Sequence, residues 1–143
     1  MHHSLGIGII GAGNVAPSHV IGWQQTDGAA PIAVCRRDEA KARTFAEQYD
    51  LQWETDYHRL LERDDIDAVD ILLPSGLHAA VGIEAAKAGK HVIVEKPIDV
   101  TLEKADDLIA ACQEQNVILG VISQYRFMDG MLKMADILAA GHL

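Results

Sequence analysis

One stretch near the amino terminus, residues 5–16, constrains the fold of this chain more than any other. It has the sequence LGIGIIGAGNVA, in which an apolar run leads into a cluster of small residues. The segment that follows has the apolar spacing of a helix. A strand, a tight turn and a helix in this order are typical of the first unit of a parallel α/β sheet.

The small residues of this stretch match the pattern G-x-G-x-x-G/A with Gly11, Gly13 and Ala16. In that pattern the first glycine makes the turn, the second lets the backbone approach a pyrophosphate, and the third small residue lets the helix pack closely on the strand. The helix that begins there would direct its amide groups and its positive dipole end toward an anion. Since an isolated match also occurs in ordinary turns, it is the strand before and the helix after that predict a dinucleotide site.

The rest of the chain alternates between strand-like and helix-like segments. Further strands are predicted at residues 31–35, 52–55, 66–73, 91–94 and 117–122. Helices are predicted at residues 38–49, 57–61, 78–88, 101–115 and 129–140. The alternation predicts an α/β fold, a doubly wound (Rossmann) parallel sheet of about six strands with helices on both faces.

Length, charge and hydropathy exclude several classes of function. The chain has 143 residues, the size of one ordinary domain, and a net charge of −9. The acidic balance disfavours a nucleic-acid partner, because binding phosphates needs a basic surface. We expect no membrane anchor, since no apolar run approaches the ~20 residues of a membrane span.

Cysteine and histidine spacing gives no indication of a metal centre or a disulfide. Cys35 and Cys112 lie in apolar segments without C-x-x-C spacing, so we interpret them as small buried residues of a cytoplasmic protein. None of the seven histidines has the spacing of a metal site, and no metal is expected.

The residues after the second predicted strand bear on the choice of cofactor. An acidic residue in this place would hold the ribose diol of NAD, whereas arginine accommodates the 2′-phosphate of NADP. The chain has Arg36 and Arg37 here, and guanidinium groups match phosphate oxygens. NADP is therefore favoured over NAD. Two solvated charges at a helix entry remain the alternative, and Asp38, the expected cap of the next helix, keeps NAD open.

A lysine follows the predicted strand at residues 91–94, in the segment Glu95-Lys96-Pro97. Pro74 follows the preceding strand, and ligands of open α/β sheets bind at the carboxyl ends of strands. Lys96 can donate a hydrogen bond to a substrate oxygen and take part in acid–base chemistry. Glu95 could orient it or could be a structural partner, and Lys96 could equally be a surface charge.

Several motifs in a fixed order resemble the amino-terminal half of the Gfo/Idh/MocA family of oxidoreductases. Besides residues 11–16 they are Asp67-Ala-Val-Asp70, Pro74 with His78, Ala88-Gly-Lys-His-Val92, Glu95-Lys-Pro97 and Tyr125-Arg-Phe127. The resemblance covers essentially the whole chain. It implies an enzyme that moves hydride between NADP or NAD and a sugar, an inositol or a related polyol.

The resemblance also implies roles for individual residues. Lys96 corresponds to the active-site lysine that contacts the reacting hydroxyl or carbonyl. Gly11, Gly13, Asn14 and Val15 correspond to the pyrophosphate loop, and Arg36 and Arg37 to the adenosine end. Pro74, Ser75 and His78 are expected along the cofactor, with Glu95 beside the nicotinamide. Arg126 lies where family members enter the substrate half, with a structural role as the alternative.

Family members are much longer than this chain, and they add a carboxy-terminal α/β domain that carries much of the substrate pocket. We therefore expect residues 1–124 to form the dinucleotide-binding domain and residues 125–143 to lead toward such a second domain. The last predicted helix would then expose apolar side chains and promote a homo-oligomer. These side chains belong to Met131, Leu132, Met134, Ile137 and Leu138. The alternative function is a non-catalytic nucleotide-binding module for regulation or assembly on the same fold.

Overall fold

Six parallel strands form one sheet in the computed structural model, which describes residues 4–142. The strands are β1 (Leu5–Ile10), β2 (Ala29–Cys35), β3 (Gln52–Glu54), β4 (Ala68–Ile71), β5 (His91–Val94) and β6 (Leu119–Val121). Their order across the sheet is β3-β2-β1-β4-β5-β6. The predicted doubly wound Rossmann sheet is thus confirmed. Residues 1–3 and 143, which the two predicted domain ranges include, lie outside the described part.

Six α-helices connect or follow the strands. They are α1 (Ala16–Gln24), α2 (Glu39–Tyr49), α3 (Tyr57–Leu61), α4 (His78–Lys87), α5 (Leu102–Glu114) and α6 (Asp129–Ala139). Two short 3₁₀ turns, Ser75–Leu77 and Gln124–Phe127, precede α4 and α6. Asp38 caps α2 as predicted, because its Oδ1 accepts from the Lys41 amide at 3.1 Å.

The apolar run at residues 66–73 is longer than the strand it contains. Strand β4 covers only Ala68–Ile71, although Ile66 and Leu72 on either side are also buried. Their side chains pack into the core from the irregular segments that flank the strand. Apolarity therefore indicated burial over the whole run, while the hydrogen-bonded ladder fixed the shorter length of the strand.

Two apolar layers cover the two faces of the sheet. One joins α1 and α2 to the sheet and includes Ile7, Ile9 and Val20. The other joins α3, α4 and α5 to it and includes Leu60 and Leu108. Cys35 and Cys112 are buried free thiols, as expected from their apolar surroundings.

Helix α6 differs from the other helices because it packs on neither layer. None of its residues is buried among those that the structure describes, and its main contacts are with the 3₁₀ turn before it. The side chains predicted to be exposed, Met131, Leu132, Met134, Ile137 and Leu138, are between 38% and 56% exposed. Across residues 4–142 no helix is long and apolar enough to cross a membrane.

Candidate dinucleotide-binding site

A cleft of about 860 Å³ opens at the carboxyl ends of β1, β2 and β4. Strands β1 and β4 are neighbours although β2 and β3 separate them in the chain, so the direction of winding reverses between them. Open α/β sheets bind ligands in the crevice at such a reversal. The walls of the cleft are residues 11–13, the segment after β2 and the segment after β4.

The glycine loop has the backbone that its sequence pattern predicts. Gly11 has a φ of +107°, and a Cβ there would lie 2.7 Å from the Leu72 carbonyl oxygen. Glycine is needed at this position for both reasons. A Cβ on Gly13 would meet no atom within 4 Å, so the backbone is open on the side of the cleft. Ala16 is fully buried where α1 begins against the sheet.

Asn14 and Val15 follow on the exposed part of the loop. Val15 is the cap residue of α1, so the amino-terminal end of this helix adjoins the glycine loop. Their side chains do not line the cleft, which ends at Gly13 on this side. Main-chain amide groups are therefore what this part of the chain offers to an anion.

The two arginines after β2 both line the cleft but have different surroundings. Arg36 is half-buried, and its Nη1 donates a hydrogen bond to the carbonyl oxygen of Ala12 in the glycine loop. Arg37 is exposed. The structure thus connects Arg36 to the loop and leaves the Arg37 guanidinium in the open part of the cleft.

Lys41 is a third basic residue of the cleft, and the sequence analysis did not single it out. It lies one turn into α2, where its Nζ is 3.3 Å from Asp38 Oδ2. Placing Asp38 as the cap would have put Lys41 on the same side of the helix. Hydrogen bonds from the backbone amide and the side chain of Lys41 hold the pKa of Asp38 below its usual value. The Asp38 carboxylate is therefore engaged at the start of α2.

Tyr57 and several apolar side chains also line the cleft. The Tyr57 hydroxyl donates to Glu84 Oε2 at 2.7 Å, and burial together with this bond raises the pKa of Tyr57 to about 12. Leu77 and Val81 line the same cleft. Burial raises the pKa of the cleft-lining Cys35 to about 12, so its thiol is neutral and unreactive at neutral pH. No motif in the sequence indicated Tyr57.

The residues after β4 occupy two depths. Pro74 lines the cleft, and Ser75 begins the 3₁₀ turn next to it. The ring of His78, which the resemblance placed along the cofactor, is buried and only 1% exposed. Its Nδ1 lies 2.9 Å from the Pro97 carbonyl oxygen and its Nε2 lies 2.7 Å from that of Leu73. In this arrangement the His78 ring supports the segments behind the cleft and does not line it.

Glu95 and Lys96 follow β5 at the same edge of the sheet, outside the lining of the cleft. Lys96 is exposed. Glu95 is largely covered, and its Oε2 accepts from the Lys96 amide at 2.9 Å. The structure therefore separates the predicted catalytic lysine from the residues predicted to bind the adenosine end.

A partly buried polar cluster lies beneath this edge, and the sequence analysis did not predict it. Asp70, in the middle of β4, is fully buried, and its Oδ2 accepts from the Trp23 indole at 2.7 Å. His19 Nδ1 is 2.8 Å from the same oxygen, and His19 Nε2 is 3.3 Å from Glu95 Oε1. The available signal was an aspartate within an otherwise apolar strand. Within residues 4–142 no group of three or more His, Cys, Asp or Glu side chains is arranged so that it could hold a metal ion.

A doubly wound parallel sheet with a glycine-rich turn at its switch point defines a dinucleotide-binding domain. Residues 5–123 match the family model of the Gfo/Idh/MocA oxidoreductases, described as an oxidoreductase family with an NAD-binding Rossmann fold. The chain belongs to this family.

Similar proteins include sugar-nucleotide enzymes. Over 88 residues, 62% of this chain and 26% of the relative, the chain is 42% identical to a dTDP-3,4-didehydro-2,6-dideoxy-alpha-D-glucose 3-reductase of Saccharopolyspora spinosa. The WlbA dehydrogenase from Bordetella pertussis, in complex with NADH and UDP-GlcNAcA, has a TM-score of 0.92 and 26% identity, covering 97% of this chain and 43% of that one. The 3-ketoreductase KijD10 from Actinomadura kijaniata, in complex with NADP and TDP-benzene, has a TM-score of 0.91 and 30% identity, with 97% and 43% covered. The chain spans less than half the length of these proteins.

Proposed function

We propose that this chain is the NADP-binding half of an oxidoreductase that transfers hydride between NADP and a sugar, an inositol or a related polyol. The observation that carries the proposal is the cleft at the reversal between β1 and β4, which is lined by the glycine loop and by basic side chains. A pyrophosphate fits the open backbone at Gly13 and the adjoining end of α1.

The preference for NADP over NAD rests on the surroundings of the charged groups. Arg37 and Lys41 line the cleft and are exposed, so both can reach a 2′-phosphate. Asp38, which would have to bind a ribose diol, is engaged by the start of α2. Arg36 bonds to the glycine loop and is assigned to shaping that loop. KijD10 and WlbA, bound to NADP and NADH respectively, provide precedent in the family for either cofactor.

Lys96 is proposed as the group that donates to the reacting oxygen of the substrate. Its position after β5 puts it at the ligand-binding edge of the sheet, and its side chain is exposed. Hydride transfer needs a substrate held against the nicotinamide, with a proton-handling group in reach. This chain supplies one wall of such a site, so we expect it to bind dinucleotide without substantial turnover of sugars or polyols.

Calorimetric titration with NADPH and NADH tests the cofactor assignment. We expect tighter binding of NADPH, and we expect Arg37→Ser to weaken NADPH about tenfold, the effect of losing one charged hydrogen bond, with little change for NADH. Arg43→Ser is the matched control, because Arg43 is an exposed arginine of the nearby helix α2 that does not line the cleft. Equal affinities in the unchanged chain would contradict the preference for NADP.

A turnover assay tests whether this chain binds the cofactor but needs a second domain for catalysis. The purified 143-residue chain should show negligible dehydrogenase activity, and a longer version that includes a second domain should be active and lose most of that activity on Lys96→Ala. Robust turnover by the 143-residue chain would contradict the proposal. Dinucleotide binding together with an unaffected Lys96→Ala variant of an active longer protein would favour a different proton-handling group.

A further inference from the structure

We propose that Asp70, His19 and Glu95 form a partly buried chain of hydrogen bonds that positions the Glu95–Lys96 segment at the nicotinamide end of the site. The inference rests on the proposed function, because it assigns the nicotinamide end to this segment. His19 and Asp70 act in it as positioning residues, through Glu95, and touch neither cofactor nor substrate.

The first step is the placement of Asp70. Its side chain is fully buried, and one of its oxygens, Oδ1, has no hydrogen-bond partner among the described residues. A buried carboxylate is costly unless it is paired, and an apolar residue at this strand position would avoid that cost. A buried polar network of this kind rigidifies its surroundings when its bonds are made.

The second step is the position of His19 between two carboxylates. Its Nδ1 is 2.8 Å from Asp70 Oδ2 and its Nε2 is 3.3 Å from Glu95 Oε1. Ionised carboxylates only accept hydrogen bonds, so both contacts are hydrogen bonds at once only when both ring nitrogens carry protons. The bond to Asp70 outweighs burial and raises the pKa of His19, with a further contribution from Glu95. Asp70 on β4 and Glu95 after β5 are the charged groups that face the ring.

The third step is what Glu95 does with its second oxygen. Oε1 faces His19, while Oε2 accepts from the backbone amide of Lys96 at 2.9 Å. His19 lies on α1, the helix that begins at the glycine loop. The chain of bonds therefore runs from Asp70 on β4, through His19 on the helix that begins at the glycine loop, to Glu95 and the backbone of the predicted catalytic lysine.

A purely structural anchor for α1 is the competing interpretation, and the molecule offers a matched control for it. The Trp23 indole donates to the same Asp70 oxygen at 2.7 Å, from the same helix, and this bond does not involve Glu95. Trp23→Phe thus removes an equivalent bond to Asp70 without interrupting the path to Lys96. His19→Asn keeps a donor near the Nδ1 position and removes the contact with Glu95.

A pH titration of the ligand-free, ¹⁵N-labelled chain tests the path without any cofactor. The Lys96 amide resonance should move with the His19 ring resonances and share their midpoint, in the unchanged chain and in Trp23→Phe. In His19→Asn that transition should disappear from the Lys96 amide. A Lys96 amide that does not follow the His19 titration would overturn the proposal, whatever the cofactor affinity proves to be.

Binding measurements then test the positioning role. We expect His19→Asn to weaken NADPH about tenfold and to leave adenosine 2′,5′-bisphosphate, which lacks the nicotinamide, unchanged. Trp23→Phe should change neither affinity. Equal weakening of both ligands, or no weakening of NADPH, would overturn the proposal. If the unchanged chain bound neither ligand, the proposed function would fail, while the ligand-free titration would still report separately on the bond path.

Discussion

The two ends of this chain contrast in how completely they are packed. The cleft between β1, β2 and β4 is built from loops that the core holds on both faces of the sheet. The region after β6 is poorly packed. No residue of α6 is buried within the described chain, and several large apolar side chains of that helix are exposed.

This contrast separates what the chain accomplishes alone from what needs a further surface. The contacts that shape the glycine loop come from Cys35 at the end of β2 and from Leu72 just after β4, so that site forms within the domain. Helix α6 is amphipathic in sequence, yet it buries nothing in the structure of this chain. Contiguous exposed apolar surface is typical of an interface, so we propose that α6 packs against another domain or another copy of the chain.

The largest expected difference between the two regions is in core truncations. Leu108 is fully buried on α5. Leu108→Ala should lower the free energy of unfolding by about 2–5 kcal/mol, because it leaves a cavity in the core. Leu138→Ala on α6 should stay within about 0.5 kcal/mol. Urea denaturation of both variants measures the contrast, and similar losses would mean that α6 packs on the core in solution.

A second prediction separates folding from binding inside the glycine loop. Gly11→Ala should lower the free energy of unfolding by about 1–3 kcal/mol, since its positive φ disfavours a side chain and the new Cβ would meet the Leu72 carbonyl. Gly13→Ala meets no protein atom, so stability should be unchanged while NADPH affinity falls. Thermal unfolding and titration of the pair check this, and an unstable Gly13→Ala chain would contradict it.

A third prediction concerns pH. The pKa of His19 is raised in the folded chain by its bond to Asp70, so its contribution to stability is present below about pH 6.5 and is lost as the pH rises through the folded pKa. Denaturant unfolding at several pH values across this range should show a free energy of unfolding that falls with rising pH, and His19→Asn should remove this dependence. His58→Asn is the control. The pKa of His58 is also raised, by its bond to Asp56, but its ring is exposed and screened by solvent, so this variant should leave the slope nearly unchanged. A slope unchanged in His19→Asn would contradict the prediction.

The smallest expected effect on the fold, and a clear one on assembly, comes from charges on α6. Ile137→Lys should leave the free energy of unfolding nearly unchanged, because the side chain packs on nothing buried. If the exposed face of α6 mediates self-association, light scattering should detect an oligomer of the unchanged chain that the variant disrupts. A monodisperse monomer of the unchanged chain at high concentration would count against homo-oligomerisation.

Local sequence patterns were sufficient for the fold and the glycine loop. Alternating apolar segments predicted about six parallel strands. The G-x-G-x-x-A pattern predicted a turn at Gly11 and close packing at Ala16, where the structure has a positive φ and a buried side chain, because these depend on neighbouring residues and on backbone sterics. The same patterns could not give the length of β4, because its apolar run continues into irregular segments where Ile66 and Leu72 are also buried.

What only the tertiary structure decided are the partners of polar side chains far apart in the chain. The sequence predicted the same role for Arg36 and Arg37, at the adenosine end of the cofactor. In the structure Arg36 donates to the Ala12 carbonyl oxygen, whereas Arg37 is exposed. Likewise, the His19 ring contacts Asp70, which is 51 positions away in the chain, and Glu95, which is 76 positions away. Periodicity reports which face of an element is apolar, whereas a hydrogen bond across elements depends on register and packing that are set only when the sheet and helices assemble.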